Sequence, residues 1–96
     1  MIINFGDKAT EDVYNGINSR FSRKIPHNII AVAIRKMDMI NATQSLKDLK
    51  SPPGNHLEHL KGELAEFYSI RINDQFRIIF KMNQSNAFNV QIVDYH

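Results

Sequence analysis

Apolar positions along this chain change their period once. Ile30, Ala33, Ile34, Met37 and Ile40 recur at three- and four-residue spacing, which puts them on one face of a helix opened by Pro26. Ahead of it, "IINF" (2–5) predicts a short first strand, and residues 8–17, with Val13 and Ile17 four apart, a short helix. "SLKDLK" adds a helical turn. "SPPGN" (51–55) then stops regular structure, because proline lacks an amide donor and restrains its predecessor. Beyond this point the period is two: "HLEHLKG" reads as a short strand, and "FYSIRI", "FRIIFKM" and "FNVQIVDY" as three longer ones. The pattern predicts an α+β fold, with an N-terminal strand and two or three helices packed on one face of an antiparallel four-stranded sheet.

Burying one face of that sheet sets its register. Tyr68, Ile70 and Ile72 must oppose Phe80, Ile78 and Phe76, leaving Asn73-Asp74-Gln75 as a three-residue loop. The same rule pairs Met82, Phe80 and Ile78 with Phe88, Val90 and Ile92, around a loop at "NQSNA". The opposite, exposed face then collects Arg71 across from Arg77, with Lys81, Asn89, Gln91 and Tyr95. Directly opposed arginines repel, and an anion bridging them would remove the penalty. Two guanidinium groups, an ammonium, a phenol and amides on one surface suit a phosphate backbone with an unstacked base lying on the aromatic ring. Arginine's planar fork holds two phosphate oxygens at once, which lysine cannot do.

Composition narrows the class. Ninety-six residues, 43% of them hydrophobic, suit a single domain over 1–96 with little room for an enclosed small-molecule pocket, so chemistry is expected on an open face. With no cysteine, disulfides and thiolate zinc sites are excluded. No apolar run approaches the ~18 residues of a membrane span, and a soluble cytoplasmic protein is expected. The net charge of +2 is mild, but residues 20–36 carry Arg20, Arg23, Lys24, Arg35 and Lys36 without one acid, which favours an anionic partner.

The last strand ends in "QIVDYH" (91–96), an acid, a phenol and an imidazole in a row. Cleaving RNA without a metal takes a base for the 2′-hydroxyl proton, a cation for the phosphorane charge and an acid for the leaving 5′-oxygen. His96 serves as either acid or base near neutral pH, Tyr95 as a stacking ring or an acid, and Asp94 as the carboxylate that orients His96. A metal centre built from His56, His59, His96 and Asp94 is the weaker alternative, because His-x-x-His in a short extended segment lacks the i, i+4 geometry of a helical zinc site. No metal site is therefore expected. Neither a glycine-rich phosphate loop nor a nucleophile elbow occurs.

The run "LKDLKSPPGNHLEHLKG", then "YSIRINDQFRIIF", then "VQIVDYH", resembles the HigB toxins of the RelE/ParE superfamily, closely over residues 40–96 and more loosely over the helices. The resemblance implies a RelE-like microbial ribonuclease fold. It implies a type II toxin that cleaves mRNA in the ribosomal decoding site, an mRNA interferase needing no cofactor. It also implies a HigA-like helix-turn-helix antitoxin as partner, with operator DNA met only through the toxin–antitoxin complex, and no membrane. By position, the family's terminal Asp-Tyr-His falls on Asp94, Tyr95 and His96, its motif arginine on Arg77 and the lysine of "LKG" on Lys61. Some members carry a histidine ahead of "LKG"; here Glu58 aligns, with His59 one residue later on the opposite side of the strand, so either is a candidate. The arginine that often follows "KG" is replaced by "ELAEF". In this reading Arg77 stabilises the pentavalent phosphate, and Arg71, Lys61 and Lys81 position the RNA backbone.

Two readings of other classes compete. A ParE-like toxin would inhibit DNA gyrase without catalysis on the same scaffold, and a partner-binding module would only dock a repressor. The Asp94-Tyr95-His96 terminus favours the nuclease, since a pure binding module needs no titrating side chain at a strand end.

Overall fold

Helix α2, Ile30–Ala42, buries Ala33, Lys36, Met37 and Ile40, the expected apolar stripe interrupted by one lysine. The structure, a computed structural model, describes residues 1–95; His96, a candidate acid or base, lies outside the described residues. Pro26 stands just before a 3-10 turn, His27–Ile29, that leads into α2, so it precedes the helical backbone by one turn rather than opening α2 itself.

The shorter helix α1, Lys8–Tyr14, starts where the Asp7 carboxylate accepts the Thr10 amide at 2.8 Å. It ends three residues before the expected Ile17. Gly16 turns left-handed at φ 72, and Ile17 donates its amide back to the Asp12 carbonyl at 2.8 Å, a helix stop that glycine makes cheap. "SLKDLK" forms the expected turn, a 3-10 segment over Leu46–Lys50. The Asp48 carboxylate closes its capping box on the Ser45 amide at 3.3 Å.

Four antiparallel strands follow in sequential order: β1 (Glu58–His59), β2 (Tyr68–Arg71), β3 (Phe76–Asn83) and β4 (Asn86–Asp94). The β2–β3 hairpin has the expected register, Tyr68 opposite Phe80, Ile70 opposite Ile78 and Arg71 opposite Arg77, closed by Ile72 donating to the Phe76 carbonyl at 2.9 Å. The β3–β4 hairpin departs from expectation. Ile78 does face Ile92, but Asn83 pairs with Asn86 around a tight Gln84-Ser85 turn, and Met82 faces Ala87 instead of Phe88. One extra residue in β4 causes the shift: Asn89 and Val90 together oppose Phe80, with Asn89 left-handed at φ 55. Ala87 is thereby buried, and Phe88 turns outward opposite Lys81.

Residues 2–5 do not form a continuous strand. They make isolated parallel bridges to β4, Ile2 with Ala87 and Phe5 with Val90, and so cover the open edge of the sheet. The core lies between sheet and helices, where Ile70, Ile78, Phe80 and Val90 meet Met37 and Ile40, all wholly buried. Each such side chain contributes roughly 1.5–3 kcal/mol by leaving water.

Candidate functional site

Strand alternation sends Arg77 to the side of β3 away from this core, yet the side chain is only 6% exposed, which corrects the expectation of an open arginine. Its neighbours explain the burial. Nε donates to the Ser69 hydroxyl on β2 at 2.9 Å, and one Nη2 hydrogen reaches the backbone carbonyl of His56. Nη1 stands 3.6 Å from the Glu58 carboxylate, and the Tyr95 ring lies against the guanidinium, 5.1 Å from its carbon to the ring centroid. A charge this deep stays bearable only when hydrogen-bonded and paired, and here both conditions hold.

Arg71 faces Arg77 across the ladder, but the expected repulsion is answered without an outside anion. Arg71 pairs with Asp74 in the hairpin loop, and Arg77 with Glu58, one carboxylate for each. Register also separates the two candidates ahead of "LKG". Glu58 lies opposite Ser69 and so shares the side of Arg77, whereas His59 lies opposite Tyr68. The His59 ring stacks on Tyr68, with centroids 4.6 Å apart and planes 22° apart, and its Nε2 sits 2.6 Å from the Ala65 carbonyl oxygen.

The end of β4 is tied to the β2–β3 loop. Asn73 Oδ1 accepts the amides of Gln75 and Phe76, at 2.9 and 2.7 Å, which shapes the turn. Gln75 then holds the tail twice: its Nε2 donates to the Asp94 carboxylate at 3.0 Å, and its carbonyl accepts the Tyr95 amide at 2.7 Å. Tyr95 remains 46% exposed, so one ring is both fixed against Arg77 and open to solvent.

The remaining predicted cations lie farther out. Lys81 is four residues along β3 from Arg77, about 13 Å at strand spacing, with its ammonium 3.4 Å from Glu66 and 5.3 Å from the Phe67 ring centroid. Lys61 is exposed at the start of a 3-10 turn, Gly62–Leu64. Of the candidate metal ligands, His56 offers Arg77 its carbonyl, His59 turns to Tyr68 and Asp94 accepts from Gln75, while His96 lies outside the described residues; no three His, Cys, Asp or Glu side chains gather as a metal site among the described residues. No helix among them is long and apolar enough to cross a membrane.

One residue near this site escaped the sequence reading as a site residue. Lys36 is buried in the α2 stripe, with Nζ 2.7 Å from Asn55 Oδ1. Burial holds its ammonium below the usual lysine range, and Arg35, Arg71 and Arg77 push in the same direction. A lysine three residues after Ala33 and four before Ile40 was the available signal, since both spacings belong to the apolar face.

Chemically, the arrangement offers a fixed guanidinium with a carboxylate beside it and an exposed ring over it. The Glu58 contact is longer than a hydrogen bond, so a phosphate oxygen can take Nη1 without breaking one.

Known proteins bear on this geometry. The sequence model of a family described as the RelE-like toxin of type II toxin-antitoxin system HigB matches residues 3–96. Toxin HigB-1 of Vibrio cholerae is 38% identical over 92 residues, covering 96% of this chain and 95% of its own. A Haemophilus influenzae protein is 47% identical over 73 residues, 76% of this chain and 71% of that one. Among solved structures, the YoeB-YefM complex from Staphylococcus aureus contains a similar fold, with a TM-score of 0.62 at 14% identity over 100% of this chain and 98% of that one. A YoeB/ParE toxin from Agrobacterium tumefaciens superposes with a TM-score of 0.56 at 18% identity, over 99% and 98% of the two chains.

Proposed function

Because the chain belongs to the RelE-like HigB toxins of type II toxin–antitoxin systems, we propose that it is an mRNA interferase, a metal-independent endonuclease that cuts mRNA on the ribosome. The observation that carries this reading is Arg77, held in one orientation by Ser69, His56 and Glu58 beneath the exposed ring of Tyr95.

Within the reading, a base removes the 2′-hydroxyl proton, the freed oxygen attacks phosphorus, and an acid protonates the departing 5′-oxygen, leaving a 2′,3′-cyclic phosphate. Arg77 neutralises the charge of the pentavalent intermediate, where a preorganised donor is most effective. Glu58, beside Arg77, takes the proton; His59, turned to Tyr68, has no part. Tyr95 stacks on the base, His96 gives the leaving-group proton, and Asp94 orients His96. Arg71, Lys61 and Lys81 guide the flanking backbone. The Staphylococcus aureus structure is a complex, YoeB-YefM, and we extend that arrangement to a HigA-like helix-turn-helix antitoxin here, with operator DNA bound through the complex. Translation places the activity in the cytoplasm.

Purified protein incubated with programmed ribosomes is expected to cut mRNA within translated codons, to leave free mRNA intact, and to do so in the presence of a chelator dilute enough to spare the ribosomes. Intact mRNA together with trapped gyrase complexes would overturn the reading in favour of the ParE-like one.

A further inference from the structure

One charged side chain breaks the apolar stripe of α2, and its contacts lead across the fold to Arg77. Lys36 is 6% exposed and donates to Asn55 Oδ1 at 2.7 Å. Asn55, itself wholly buried, uses its side-chain amide on the Leu49 carbonyl at 3.1 Å and its backbone amide on the Pro52 carbonyl at 3.0 Å, so one residue gathers the segment that precedes β1. His56 follows in the left-handed conformation, φ 45, which aims its carbonyl at Arg77, and two residues on comes Glu58. We propose that Lys36 is a positioning residue for Arg77 and Glu58, a tether from the helical layer that fixes the chain gripping the guanidinium on the far side of the sheet. This rests on the nuclease reading above and adds a residue to it.

Electrostatics argue against a purely structural role. Among the described residues Lys36 has no carboxylate partner, and its charged neighbours Arg35, Arg71 and Arg77 share its sign, so burying its ammonium costs stability. Methionine at this position would extend the apolar stripe and relieve that cost, but would leave the buried Asn55 oxygen without its donor, so the two effects on stability oppose each other. What lysine adds is a donor that reaches Asn55. Residues that lower stability yet fix a functional group are characteristic of sites rather than cores.

Two variants and two readouts test this. Lys36→Met keeps length and apolar fit without a donor, and Lys36→Gln keeps a donor without charge. The first readout is cleavage on programmed ribosomes; the second is hydrogen exchange of the Arg77 Nε–H, which the wild-type bond to Ser69 protects. Lys36→Met is expected to keep its Tm, to lose kcat by about 10-fold or more at unchanged KM, and to exchange the Arg77 proton at least about 10-fold faster. Lys36→Gln should restore most of both. Unchanged Arg77 exchange in Lys36→Met overturns the proposal, and a lowered Tm does so too, by making Lys36 structural. A Lys36→Gln variant as impaired as Lys36→Met also overturns it, because the charge would then act on RNA directly. If the wild-type protein cuts no mRNA, the nuclease reading fails, while the exchange readout still decides the role of Lys36.

Discussion

Around Arg77 and Ile78 both sides of β3 are nearly dry, and they are held by different forces. Ile78 and Phe80 are wholly buried against the helices, and their contribution is the area they remove from water, which has no preferred direction. Arg77, one residue from Ile78, is almost as buried, but by a hydroxyl, a backbone carbonyl and a carboxylate at fixed positions. Low exposure alone therefore does not identify core. The apolar side tolerates swaps of similar volume. The polar side tolerates none that change the fork geometry, because each displaced partner is left with an unmet hydrogen bond.

Substitutions on either side separate the two kinds of burial. Phe80→Ala should have the largest effect on stability, a loss of about 3–5 kcal/mol in urea denaturation, with cleavage per folded molecule unchanged. Lost cleavage in the folded fraction would mean that the two sides are coupled. Arg77→Lys should do the reverse. The retained charge cannot serve Ser69, His56 and a phosphate together, so cleavage on programmed ribosomes should fall by about 100-fold for a stability loss of roughly 1–3 kcal/mol. Near-normal cleavage would show that a point charge suffices and would remove the fork from the account. Asn89→Ala sharpens the boundary between the sides. Forcing alanine to φ 55 should cost about 1 kcal/mol, and Asn89→Gly should cost little; equal effects would place the stabilisation in the asparagine amide rather than in the bulge backbone.

These forces also explain what could be read in advance. The β2–β3 register follows from alternation because Tyr68, Ile70 and Ile72 have apolar partners at matching intervals across a short loop. Alternation failed in β4 because counting by twos has no place for an extra residue; only Asn89, of a type that accepts left-handed backbone, hinted at one. Asp94 and Tyr95 stood out by residue type alone, and the structure lays the Tyr95 ring against Arg77. The side on which Glu58 and His59 fall was not, since it depends on the pairing of Glu58 with Ser69 across a chain reversal. The burial of Arg77 was least legible of all. One of its partners is a backbone carbonyl, which no residue code reports, and Lys36 and Asn55 are 19 positions apart with no shared period.

The backbone partner has a consequence for how relatives of this protein diverge. His56 serves Arg77 with an oxygen that every amino acid carries, and its ring is exposed to solvent. Substitution at position 56 should therefore be limited by backbone shape more than by side-chain chemistry. Glycine, asparagine and aspartate enter the left-handed region at φ 45 readily, and valine or isoleucine do not. Ser69 and Glu58 face a different filter, because their contribution disappears with the side chain. Two kinds of constraint thus meet on one guanidinium: a position that contributes a backbone atom any residue could supply, and positions that contribute atoms only their own side chains carry.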